Sequence, residues 1–248
     1  MEGTDVTGQY QNLDAARIVA TVERLSERIA ARFPDAGLYV VCKQLLTTAR
    51  IAKLRSEQLT RPIYVIRLVV SVLIIAFVIG IRLAFVQHLV EMDGVETDQV
   101  RQWDNLLQLL DAGTNVLIVL GAILLFLTTL EARVKRARAL KMIHELRSIA
   151  HIIDMHQLTK DPERVTSTIV TTNVSPRLTM SRAELGRYLD YCSEMLALTG
   201  KLAALYVQNF NDVVALAAVS EVETLTTGLS RKIWQKMMIV HQVIGRVE

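Results

Sequence analysis

Two apolar stretches dominate the hydropathy pattern, Ile63 to Phe85 and Asn115 to Leu130. In the first, the uncharged run from Leu68 to Ile81 lies between Arg67 and Arg82, whose long side chains reach toward headgroups. With those ends included it has the roughly 20 residues that a membrane-crossing helix needs. The second is shorter, but Gly113 and Thr114 precede it and helix-forming sequence continues on both sides, so it too reads as a span.

The remaining segments repeat at helical spacing. Leu13, Ala16, Val22, Leu25 and Ile29 predict a helix from Asn12 to about Phe33, ended by Pro34, Asp35 and Gly37. Val41, Leu45, Thr48, Ala52 and Leu59 predict a second from Leu38 to Leu59. Beyond the second apolar stretch, Val134, Leu140, Ile143, Leu146, Ile149 and Ile153 predict a long helix reaching Asp161-Pro162. Thr166 to Thr179 breaks the pattern and reads as an extended loop or a β-hairpin. Ser181 and Glu184 form a capping box for a helix to about Val207. Val213 to Val219 is apolar but too short to span, and Ser230 to Ile244 predicts a last helix with Ile233, Trp234, Met237 and Val240 facing the core.

The expected fold is therefore all-α. Residues 1–61 form an N-terminal helical arm, 62–130 a transmembrane hairpin with an acidic connection over 86–113, and 131–248 a helical bundle domain on which the arm packs. Lys and Arg set the orientation. Arg50, Lys53, Arg55 and Arg61 precede the first stretch, and Arg133, Lys135, Arg136, Arg138 and Lys141 follow the second. The connection holds only Arg101, against Glu91, Asp93, Glu96, Asp98, Asp104 and Asp111. The positive-inside rule then places both termini in the cytoplasm of a multi-pass plasma (inner) membrane protein. Met1 to Gln11 is polar, so no cleavable signal peptide is expected and the first stretch itself directs insertion.

Composition fits that division. Hydrophobic residues make up 51% of the chain and charged residues 21%, with a mean hydropathy of +0.31, so much of the chain still lies in water. A net charge of +3 is too small to point to nucleic acid, and the basic residues cluster beside the apolar stretches, where anionic lipid accounts for them. Cys42 and Cys192 are expected as free thiols on the cytoplasmic side.

Candidate chemistry is concentrated on the hairpin. Ala76, Gly80 and Ala84, four apart, offer a close-packing face to another helix, from this chain or from a second copy. Asp104, Asp111, Asn115, Ala122 and Thr129 follow at steps of seven, four, seven and seven, which a continuous helix gathers on one face. In a homo-oligomer, rings of Asp104 and Asp111, about 10 Å apart along the axis, would concentrate cations above a polar passage. The simpler alternative makes Asp111 a cap and the rest a packing face; a helix break at Gly113 would destroy the stripe.

The Trp103-Asp104 pair ahead of the second stretch resembles the Trp-Asp pair of calcium uniporters. Leu107 and Gln108 stand where that family has Glu-Pro, so its function is not carried over. The layout is also loosely similar to two-span effector modules of bacterial defence systems.

On the long helix, His144 and His151 share a face with Asp154 one turn further on, a set that could take a divalent metal; no other cofactor is expected. Ser148 stands where the zinc-protease helix motif needs its second His. Three functions follow in order: an ion-passing homo-oligomer in the bilayer, a membrane-anchored scaffold for a cytoplasmic protein partner, and a membrane-held metal-dependent enzyme.

Overall fold

Helix α1 (Ala15–Arg32) opens at Asp14, whose carboxylate accepts the Ala16 and Arg17 N–H groups, and closes at Phe33, which donates back to the Ile29 carbonyl. Such caps satisfy groups that a helix end leaves without intrahelical partners. Five more helices follow: α2 (Gly37–Thr60), α3 (Tyr64–Met92), α4 (Gln99–Leu158), α5 (Arg182–Leu205) and α6 (Val213–Ile244). These come from a computed structural model that describes residues 12–60, 63–92, 99–162 and 180–244, and there is no strand among the described residues. The Thr166 to Thr179 segment and Asp98 of the acidic connection lie outside them.

The chain divides into two compact units. One contains α1, α2, α5, α6 and α4 from Arg136 onward; the other, Arg61–Lys135, contains α3 and the first part of α4.

The first unit is a helical bundle with α5 at its centre. Leu185, Tyr188, Leu189, Cys192, Met195, Leu196, Leu202 and Leu205 are buried on most sides of α5, which packs chiefly on α6 and also on α1 and α2. Around it, α1 buries Ile18, Val22, Leu25 and Ile29, α2 buries Val41, Leu45, Ala49 and Ala52, and α4 buries Ala139, Met142, Ile143, Leu146, Ile149 and Ile153 in the same core. The α1 and α2 stripes step by three or four residues, and that of α4 does so with Met142 and Ile143 side by side on it, as a single buried helix face requires.

Two features fix helix directions. Arg136 pairs with Asp212, Arg147 with Glu221, and Lys236 Nζ donates to the Gln157 carbonyl, so α4 and α6 run parallel at a nearly constant offset. At the α1–α2 corner, Phe33 meets Tyr188 and Tyr191 edge-on at centroid distances of 5.6 and 6.3 Å. The next residues lead to Gly37, where the His156 ring of α4 lies so close that an added Cβ would sit 2.5 Å from its Cε1. Arg55 of α2 reaches Met142 of α4, so these two helices run antiparallel.

Three expectations change. Val213 to Val219 and Ser230 to Ile244 are parts of one 32-residue helix, α6, which passes through Gly228. The buried stripe Ala215, Val219, Val222, Thr226, Leu229, Ile233, Val240 keeps its spacing across that glycine. Packing thereby offsets the roughly 1 kcal/mol that an interior glycine costs a helix. Trp234 does not face the core but is 59% exposed, because Ile233 takes the inward position and the next residue is rotated about 100° around the axis. Gly113 does not interrupt α4, which is a single 60-residue helix.

Two helices among the described residues are long and apolar enough to cross a membrane, Gly113–Leu158 within α4 and Val213–His241 within α6. The described part of α3 is likewise apolar, with Val65, Leu68, Val72, Ile75, Val78, Ile79 and Leu83 exposed.

The Gly37–His156 contact yields a signed prediction for thermal unfolding of the full chain in detergent. Gly37→Ala should destabilise the native background by about 1 kcal/mol through overpacking. The same change with His156→Ala should stabilise by about 0.5 kcal/mol, since alanine restricts the unfolded chain more than glycine does. Equal effects in both backgrounds would remove the contact as a constraint on the corner.

Candidate functional site

The α3–α4 hairpin is closed at one end by Glu131. Its carboxylate accepts the Ile63 backbone N–H (3.2 Å), is 3.0 Å from Lys135 Nζ, and has Arg67 Nε at 3.9 Å. The first N–H groups of a helix lack intrahelical partners and carry positive partial charge, so a carboxylate from α4 serves there as a cap for α3. Lys135 first, and then the Ile63 N–H, hold the Glu131 carboxyl below the ordinary glutamate range. Further along, Phe77 of α3 meets Asn115, Val116, Val119, Leu120 and Ile123 around an apolar cleft. Ile63 level with Glu131, and Phe77 level with Val119, define an antiparallel register.

Outside that cleft the hairpin is uncovered. Val116, Leu117, Ile118 and Val119 are 50%, 58%, 64% and 58% exposed. Four consecutive helical positions cover about 300° of the circumference. A helix apolar all round belongs in a protein core or in lipid, and among the described residues of its own unit nothing buries these four.

The stripe lies on an unbroken helix. Asn115, Ala122 and Thr129 are exposed on α4, and Thr129 Oγ1 donates to the Phe126 carbonyl at 2.8 Å, so its hydroxyl is satisfied within the helix. Asp104 and Asp111 belong to the α4 backbone, and with α4 continuous their spacing puts them in the same row, but their side chains, like that of Ala84, lie outside the described residues. Asp111 falls inside α4, so it is no cap at the start of a separate helix. Ala76 and Gly80 are exposed, and a Cβ added at Gly80 would meet nothing within 4 Å. The close-packing face thus has no partner at Gly80 among the described residues.

In the bundle, His144 and His151 are exposed on α4, and Asp154 accepts the Gln157 side-chain amide at 2.6 Å. Among the described residues no three His, Cys, Asp or Glu side chains form a metal-binding group. Both cysteines are free and buried. Burial pushes the Cys42 thiol up to about 11 and the Cys192 thiol up to about 12, which keeps them in the poorly nucleophilic protonated form.

Several polar groups that position the bundle went unnoticed in the sequence. Asp212, 7% exposed in its side chain, accepts the Val214 and Ala215 N–H groups with Oδ1 and the Arg136 Nε–H with Oδ2 at 2.7 Å, and Arg136 Nη2 is paired with the same oxygen at 2.7 Å. The Arg136 bond above all holds its carboxyl below the usual aspartate range. An aspartate just ahead of an apolar run was a readable cap signal; its partner 76 residues away was not. Lys236 donates to the Gln157 and Lys160 carbonyls and so caps the end of α4, although burial lowers its pKa. His156 is lowered too, by burial and then by Lys160.

No protein family, curated protein or solved structure matches the chain.

The Asp212 site generates a pH prediction. Its folded pKa is depressed, so its contribution is fully present above the ordinary aspartate value of 3.8 and is lost as pH falls through the lower folded value. Asp212→Ala should cost about 1–2 kcal/mol at pH 7 through the lost cap. Melting curves of native and variant chains should converge as the pH drops below about 4. A gap that stays constant to pH 2 would disprove the assignment.

Proposed function

We propose that this chain is a two-pass integral membrane protein of the plasma (inner) membrane, with both termini cytoplasmic, that assembles with copies of itself and passes or gates small ions. The observation that carries the reading is the hairpin surface: α4 is apolar around its circumference from Val116 to Val119, exposed, and continuous with the row Asp104, Asp111, Asn115, Ala122, Thr129. Lipid covers an apolar surface of this kind, and it admits only backbone that is hydrogen-bonded internally, as an unbroken helix is. Two helices cannot enclose a passage. Ion passage therefore requires several copies, and the open face at Ala76 and Gly80 is the surface suited to close helix approach.

In this reading α6 remains with the bundle. It carries Glu221, Glu223, Arg231, Lys232 and Lys236 along the candidate stretch and buries its apolar stripe against α5. α3 supplies the other span. The long helix couples the cytoplasmic bundle directly to the polar row.

A second reading, a membrane-anchored scaffold, has one observation in its favour. Trp234 and Met238 are exposed one turn apart on the outer face of α6, an apolar pair suited to a partner helix.

Mass measurement in mild detergent separates the two. A closed oligomer is expected; a monomer would end the ion-passing proposal and leave the scaffold. In reconstituted bilayers, Asp104→Asn and Asp111→Asn should each reduce cation conductance several-fold, and the double variant should reduce it further. Conductance and selectivity unchanged in all three would reduce the polar row to a packing face.

A further inference from the structure

The polar row of α4 and the small residues of α3 fall on the same side of the hairpin. Phe77 of α3 and Val119 of α4 face one another across the apolar cleft. Gly80 comes three residues after Phe77, and Ala122 three after Val119, which leaves each about 60° short of a full turn. Asn115, four residues before Val119, is displaced from it by about 40° in the same sense. Two antiparallel helices that face each other are related by a two-fold axis perpendicular to their plane, so displacements of the same sense open on the same side. Ala76, Gly80, Asn115 and Ala122 are all exposed there.

Gly80 and Asn115 also share a level. Counted from the Ile63–Glu131 pair, both lie about 24–26 Å along their helices. At this level α3 presents no side chain, and a Cβ added at Gly80 would meet nothing within 4 Å. Asn115 has no side-chain hydrogen bond among the described residues. The Thr129 hydroxyl is used within its own helix, and Ala122 has no polar side chain, so Asn115 holds the open hydrogen-bonding capacity of the described row. A carboxamide at membrane depth is costly until water, an ion or another copy satisfies it. Arg82, two residues beyond Gly80 and so about 200° round α3, places its charge on the other side of the hairpin.

We infer that α3 shares in lining the passage between copies, and that Gly80 and Asn115 form its narrow level. The inference rests on the ion-passing reading above. The missing side chain at Gly80 lets copies approach at that level. Their Asn115 oxygens then replace part of the water around a passing cation, as neutral oxygen rings do in selective pores. Selection is made at this neutral ring, and the acidic residues Asp104 and Asp111 further along the row concentrate the cations that reach it.

The test uses the full chain in planar bilayers with potassium chloride, carrying Gly80→Cys, Asn115→Cys, Val78→Cys or Leu117→Cys. Val78 and Leu117 each stand two residues from the proposed lining and face the opposite side. The native thiols are buried, and the unsubstituted chain measures any background labelling. A cationic methanethiosulfonate added from the water should cut conductance at least fivefold at positions 80 and 115 and leave it within twofold at 78 and 117. Because the thiols react after assembly, a failure to fold cannot imitate the block. Asn115→Asp should raise potassium-over-chloride selectivity at least threefold, and Asn115→Leu should lower it. Block at 115 without block at 80 overturns the share of α3, and block at neither overturns the narrow level; in both cases a conducting native chain leaves the ion-passing reading standing. A native chain that does not conduct overturns that reading and this inference together.

Discussion

One unbroken backbone hydrogen-bond ladder runs along α4 from Gln99 to Leu158 and carries both the exposed apolar stretch and the stripe buried in the bundle. Over those 60 residues, about 90 Å of helix, the surroundings change completely. Apolar side chains stand exposed from Val116 to Val119, whereas from Ala139 to Ile153 a single face is buried in a helical core. The helix tolerates both settings because its backbone polar groups are satisfied within the helix itself. Side chains alone decide which environment each part occupies, and they do so without a hinge: Gly113, the obvious place for a break, is simply another helical residue.

Around this rod, the polar contacts do their positioning at helix ends. Glu131 caps α3, Asp212 caps α6 and ties it to Arg136, Lys236 caps α4, and Ser181 caps α5 by a capping box. Each places a charge or hydroxyl where an end exposes unpaired N–H or C=O groups, the arrangement that the helix dipole favours. Mid-helix surface pairs such as Arg147 with Glu221 contribute little in comparison, being exposed on both sides. The parallel register of α4 and α6 is thus held at Asp212 and Lys236, near the ends of their overlap.

Within the bundle, Arg136 with Asp212 and Lys236 with the Gln157 carbonyl hold α6 to α4 at two separated places. An ion-passing site of the proposed kind needs no pocket in the monomer. The proposed passage is one formed between copies, and the described residues of a single chain offer an exposed apolar surface, a small-residue face and a polar row, with buried, protonated thiols in the bundle.

Much of the fold was legible in the residues. The two apolar stretches, the stripes of α2 and α4, the Val22, Leu25 and Ile29 part of the α1 stripe, and the capping box at Ser181 all arise from spacing within a turn or two, where sequence neighbours are spatial neighbours; Leu13 and Ala16, expected on the α1 stripe, are exposed and Ile18 is buried instead. The row from Asp104 to Thr129 depends on that periodicity and on helix continuity, and the second of these came only from the structure. So did the passage of α6 through Gly228, the outward turn of Trp234, the seating of His156 on Gly37, and the pairing of Glu131 with Ile63 and of Asp212 with Arg136. Local spacing determined which residues form helices and which faces are apolar. Tertiary packing decided which faces meet, because those contacts join residues 68 to 119 positions apart that no helical period relates.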